Sequence, residues 1–207
     1  MHLASTPFAR SWARFLVLVL SIASAISALG CSKYDELVEK NAIADQKWAD
    51  VDAALQRRYD LIPNLVETVR GSAKHEQETL DAVTKARADA TSIKLTADDL
   101  SDPAKVAAFQ KAQDQLKGAL SRLLVVQEQY PDLKANQGFR DLQVQLEGTE
   151  NRILRAREQY NDAARDYNAT LGKIGGAAVN KITGKPFQPR VYFQASAEAQ
   201  VAPKVSF

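Results

Sequence analysis

Apolar residues recur every seven positions through most of this chain, and the longest such run lies in its C-terminal third. Counting from Phe139 gives Leu146, Ile153, Tyr160, Tyr167 and Ile174, and counting from Leu142 gives Thr149, Ala156, Ala163 and Thr170. Two interlocked series of this kind make a narrow seam, the pattern of a helix that faces partner helices. The same step runs through Tyr34, Asn41, Trp48, Leu55 and Ile62, and again through Phe109, Leu116, Leu123 and Tyr130. A further segment carries Val66, Ala73 and Leu80 beside Val69, Val83 and Ala90, with charged Glu76 and Arg87 on its seam. A lone buried charge costs on the order of several kcal/mol. Each is therefore expected at a bundle end, with its head in water, or against a partner on another helix.

Punctuation divides these stripes into four long helices. Pro63 lacks an N–H and disfavours helical angles at Ile62, so "DLIPNLVE" predicts one helix ending and the next beginning. In "TADDLSDPAK", Asp102 or Ser101 offers a cap with Pro103 in the first turn, and "QYPDLKANQG" predicts the third helix to end at Tyr130. Short connections make neighbours antiparallel. The expected fold is all-α, a long up-down-up-down four-helix bundle over residues 31–171. Residues 172–207 change character. "GKIGGAAVNKITGKPFQPR" reads as a connector, "RVYFQAS" is β-prone, and "VAPKVSF" ends the chain. Tyr192, Phe193, Val201, Val205 and Phe207 are too apolar for a solvated tail, so this irregular segment is expected to pack back on the bundle as part of the same domain.

The first 30 residues follow a different rule. Arg10 and Arg14 precede an apolar stretch from Phe15 to Ala25, and small residues continue to Gly30, the order of a secretory signal peptide. The one cysteine of the chain, Cys31, follows directly in "ALGC", which resembles a bacterial lipobox with Ala28 where leucine is usual. Lipidation of Cys31 is the favoured reading, because the apolar stretch is at the short limit for a bilayer span. An uncleaved N-terminal transmembrane anchor is the alternative. Both tie the body to a membrane and place it outside the cytoplasm. In an organism with two membranes, Ser32 resembles the signal that sorts lipoproteins to the outer one.

Composition narrows the chemistry. The net charge of +2 belongs to the leader, since the rest carries 25 basic residues against 25 acidic ones. A neutral body with mixed signs gives no reason to expect nucleic acid. A single cysteine excludes an internal disulfide and thiolate zinc clusters. His75 is the only histidine outside the leader, and "HEQET" has Thr79 where a zinc-binding helix needs a second histidine. The paired Glu-x-x-His motif of di-iron bundles is absent. No cofactor, metal site or catalytic set is expected.

The stretch "RRYDLIPNLVETVRGSAKHEQETLDAVTKARADA" closely resembles the LemA family of bacterial envelope proteins. The residues that carry the likeness are Arg58, Tyr59, Leu61, Pro63, Asn64 and Leu65, then His75, Glu76, Val83 and Arg87. Two Tyr-Asn pairs follow, Tyr160-Asn161 and Tyr167-Asn168, then the aromatic pair Tyr192-Phe193 and the terminal "PKVSF". The likeness covers roughly residues 34 to 207. It departs after the second Tyr-Asn pair, where relatives carry a Phe-Pro element and this chain has "LGKIGGAAVNKITG". The resemblance implies an antiparallel helical bundle in the bacterial cell envelope, held to a membrane, and assigns no activity.

The combined expectation is a membrane-tethered, non-catalytic scaffold that meets another envelope or membrane protein through its helix faces. One alternative is a small-ligand or hydrolytic groove around His75, Glu76 and Arg87. Another is self-association into a homo-oligomer.

Overall fold

The computed structural model describes residues 7–72, 76–173, 176, 180–181 and 187–194. They form four long helices and one short one: α1 Pro7–Ser72, α2 Gln77–Ser92, α3 Pro103–Val126, α4 Pro131–Ala135 and α5 Gln137–Leu171. Direction alternates along the chain. Lys47 of α1 reaches Gln159 of α5 at 3.1 Å and Arg57 reaches Gln145 at 3.0 Å, which fixes the two as antiparallel. The phenol of Tyr59 on α1 meets the carbonyl of Ala90 on α2, and Gln113 on α3 meets the same carbonyl. An all-α, up-down-up-down bundle results.

The seams lie where the seven-residue steps put them. Phe139, Leu146, Ile153, Tyr160 and Tyr167 are buried on α5, as are Trp48, Leu55 and Ile62 on α1 and Phe109, Leu116 and Leu123 on α3. Ala73, His75, Ile174, Val201, Val205 and Phe207 lie outside the described residues, as does the side chain of Cys31.

Two boundaries differ from expectation. The third helix ends at Val126, and a short 3-10 turn over Gln127–Gln129 carries the chain to Tyr130. More consequentially, Pro63 does not break the chain, because α1 runs through it without interruption to Ser72. The turn of the first hairpin therefore falls after Ser72, ten residues later than the proline suggests. At the other predicted start the reading holds. Asp102 caps α3, its carboxylate accepting from the amides of Ala104 at 2.9 Å and Lys105 at 3.3 Å, with Pro103 in the first turn.

α2 and α3 are shorter than the helices they lean on. α1 and α5 continue together past the α2–α3 connector to Leu37, Tyr167 and Leu171, which form a small second core with Tyr34 and Phe187. Residues 187–194 fill the place that α2 and α3 leave open. They run extended along α5, tied to the connector where the amide of Val191 donates to the carbonyl of Leu100 at 2.8 Å. The tail packs back on the bundle as far as it is described.

Candidate functional site

A helix that carries proline in its interior leaves the carbonyl four residues earlier without its donor, and the proline ring pushes that carbonyl outward. In α1 the carbonyl is that of Tyr59, and Arg87 of α2 supplies what is missing, its Nε–H donating to Tyr59 O at 2.9 Å. The charged seam position is thus an inter-helix cap for the gap that Pro63 makes. Glu76, the other one, stands at the start of α2 and accepts from the Tyr130 hydroxyl at 2.9 Å and from Thr79. That bond holds the Tyr130 phenol above its ordinary value. Eleven residues of helix separate Glu76 from Arg87, about 16 Å. Each is engaged in its own bond, so the structure does not bring them together as one centre.

One turn before Pro63 a polar knot crosses the core. Arg58 is buried, pairs with Glu150 of α5 at 3.1 Å, and donates to the side-chain oxygen of Gln113 of α3. Gln113 in turn donates to the hydroxyl of Tyr59 at 2.7 Å. Burial pushes the Tyr59 phenol up, so it stays neutral and serves as a hydrogen-bonding group. The knot joins α1, α2, α3 and α5. Removal of one partner would strand a buried guanidinium, a loss of about 3–5 kcal/mol. Asn64 is exposed beside it, and its carbonyl accepts from Thr68 at 2.8 Å.

The two Tyr-Asn pairs build a receptor for the tail. Asn161 accepts from the amide of Phe193 and donates to the carbonyl of the same residue, both at 2.8 Å. Asn168 does the same to Arg190, again at 2.8 Å for each bond. A side-chain amide offers one donor and one acceptor in a plane, so it pairs with a backbone as a neighbouring strand would. The spacing matches. Seven residues of helix rise about 10.5 Å, and three residues of extended chain cover about 10 Å. A third asparagine, Asn180, grips Phe187 through the same pair of bonds at 2.7 and 3.0 Å. Asn168 also donates to the hydroxyl of Tyr192, whose ring stays partly exposed.

Side chains lock the tail in place. Phe193 stacks on Trp48 with ring centres 5.8 Å apart, and meets Tyr160 edge-on at 5.2 Å and Phe109 at 6.4 Å. Such pairs add about 0.5–1.5 kcal/mol each beyond area burial. Arg157 lies over the outer face of Phe193 at 5.2 Å, with burial drawing its guanidinium downward. Arg190 is buried over the ring of Tyr167, donating to Asp45 and, at 2.9 Å, to Asn41. Among the described residues its Nε and one terminal nitrogen have no partner. The Tyr160 hydroxyl donates to the carbonyl of Val191 at 3.2 Å, and burial raises that phenol to about 12. Tyr167 is raised by burial as well.

Sequence reasoning missed Arg190, Gln113, Asp45 and Asn180. Arg190 sits where the Gly- and Pro-rich connector meets the β-prone segment, and nothing local to it marks a buried charge. One signal was available, namely the match between asparagines seven apart on a helix and Arg190 and Phe193 three apart in the tail. Among the described residues no cluster of histidine, cysteine or carboxylate could hold a metal ion. What the arrangement can do chemically is bind an extended backbone.

A sequence model of the LemA family matches residues 47–207, more than three quarters of the chain. The chain belongs to the LemA family. No curated protein matches the sequence. The matched region contains the Pro63–Arg87 cap, the Arg58 knot and both Tyr-Asn pairs. In this LemA protein, motif positions on four helices and the tail hold one another in register. Family membership suggests a bacterial envelope-associated protein.

Proposed function

We propose that this LemA protein is a membrane-tethered envelope scaffold that works by contact. It presents the polar faces of its bundle to another envelope component, such as a membrane protein or protease complex. The observation that carries the reading is the employment of the motif side chains. Arg58, Tyr59, Arg87, Asn161 and Asn168 each hold a helix or the tail. The phenols that burial perturbs are held protonated, which suits packing and not acid–base chemistry near neutrality.

Tethering follows from the leader. Among the described residues no helix is long and apolar enough to cross a membrane. Acyl chains on Cys31 are the anchor we favour, because the apolar stretch from Phe15 to Ala25 is at the short limit for a bilayer span, and each buried methylene contributes about 0.8 kcal/mol, with two or more chains needed for stable attachment. From Cys31 onward α1 runs unbroken into the bundle, so a lipid on that residue would sit at the start of the helix that carries the body.

Two experiments test the proposal. Fatty-acid labelling of cells should mark the protein and fail on Cys31→Ser, which should also retain its leader. Equal labelling and size in both would remove the lipid anchor. Crosslinking in cells from exposed positions of α1 and α3, such as Asp52 and Lys111, should capture one recurring envelope protein. Capture of none, with the bundle folded, would overturn the scaffold reading.

A further inference from the structure

We propose that the α2–α3 hairpin is a flap, hinged at one pole of the bundle and latched at its free tip by tail residues Arg190 to Phe193. Both chain connections of the hairpin lie at the same pole. α1 ends at Ser72 and α2 begins at Gln77, while α3 ends at Val126 and passes through α4 into α5 at Gln137. The tip is the opposite end, the connector with the 3-10 turn Asp98–Ser101. Backbone packing follows the same division. Cα atoms come within 8 Å at several positions between α1 and α5, between α2 and α3 and between α1 and α2. α3 has no such run against α1 or α5, and reaches them through side chains.

The tail is seated on the α1–α5 pair and reaches across to the flap. Asn161 and Asn168 of α5 hold the backbones of Phe193 and Arg190, and Asn41 of α1 accepts from the Arg190 guanidinium at 2.9 Å. From that seat the amide of Val191 donates to the carbonyl of Leu100 at 2.8 Å, inside the turn at the tip. The Phe193 ring stands between Trp48 of α1, Tyr160 of α5 and Phe109 of α3, with ring centres at 5.8, 5.2 and 6.4 Å. One short extended segment thus joins the two layers at the end where no covalent connection does.

Distance from the hinge ranks the catches. Measured along α3 from Val126, the Gln113 end of the polar knot lies at about 20 Å and Phe109 at about 26 Å, with Leu100 beyond the start of the helix. A restraint farther out works with the longer arm, so the tail is the outer catch and the knot the inner one. Packed folds open locally by such movements, with element ends as hinges. The coupling is reciprocal: a partner that took hold of the tail would loosen the flap, and one that gripped the flap would hold the tail by the same factor. The device belongs to the fold whatever the bundle meets, and does not rest on the scaffold reading.

Spin-label distances test this on the full chain in detergent micelles, with Cys31→Ser removing the native thiol. Ala108→Cys with Arg155→Cys spans α3 and α5 near the tip, and Ser121→Cys with Glu147→Cys spans the same helices near the hinge, all four positions being exposed. Asn161→Ala with Asn168→Ala removes the amides that seat the tail. It should lengthen the tip distance about three to four times as much as the hinge distance, since Ala108 and Ser121 lie about 27 Å and about 7.5 Å from Val126. Val191→Pro, which takes away the N–H bound to Leu100, should shift the tip in the same direction by less, and decides alone if the double variant loses its helical signal. A tip distance unchanged in both variants, with circular dichroism unchanged, overturns the proposal. So does an equal shift at tip and hinge, which would be a loosening of the whole hairpin and not a pivot.

Discussion

Replacing Arg87 with methionine keeps most of the side chain's apolar stem and removes its N–H groups. In the native protein that leaves Tyr59 O with neither the helix donor that Pro63 cannot provide nor the guanidinium 2.9 Å away. Tyr59 is buried, so water does not readily take the place. An unsatisfied buried carbonyl costs about 1–3 kcal/mol, and a lost charge-assisted bond falls in the same range. Arg87→Met should therefore destabilise the bundle by about 2 kcal/mol in urea denaturation followed by helical circular dichroism. The decisive measurement is the same change in a Pro63→Ala background. The amide introduced there restores the regular helix bond to Tyr59 O, and the outward push of the ring disappears. Arg87→Met should then cost about 0.5 kcal/mol, a coupling of about 1.5 kcal/mol between residues on different helices. Equal losses in both backgrounds would refute the claim that Arg87 compensates for the proline.

Two further outcomes follow from the tail and its receptor. Asn161→Ala removes both bonds to Phe193 and should lower stability by about 1–2 kcal/mol, with protease cutting after Arg190 or Tyr192 becoming faster. Unchanged cutting would mean that the clamp does not hold the tail. Tyr160 has a folded value near 12 against 10 in the unfolded chain. Its neutral form is favoured by folding, so this stability is complete below pH 10 and lost as pH rises from 10 through 12. The loss is of order 2 kcal/mol, and Tyr160→Phe should abolish that part of the alkaline slope, which a pH series of urea midpoints would show.

The seams were legible because burial on a helix is periodic, and periodicity survives in a sequence. Phe139, Leu146, Ile153, Tyr160 and Tyr167 could be read as one face before any partner was known, and all five are buried. The cap at Asp102 was legible for a similar reason, since both its parts lie within three residues. Pro63 was not. A proline ends a helix when nothing replaces the bond it removes, and here the replacement comes from Arg87, 24 positions away and brought close only by the hairpin. Arg190 was hidden likewise, because its burial depends on Asp45, Asn41 and Tyr167 from helices it meets only after folding. The Tyr-Asn pairs were visible as seam positions with amides at the core edge. That the amides bind a backbone requires the tail's path.

The unbroken first helix also sets a length. From Cys31 to Ser72 it rises about 62 Å, and the small core at Leu37 begins only about 9 Å beyond the cysteine. A protein fixed to lipid at that residue would keep one pole of its bundle against the headgroups and hold the opposite hairpin at a set height. Because α1 is braced by α5 over most of that distance, the height varies little, and the molecule can serve as a spacer of defined reach.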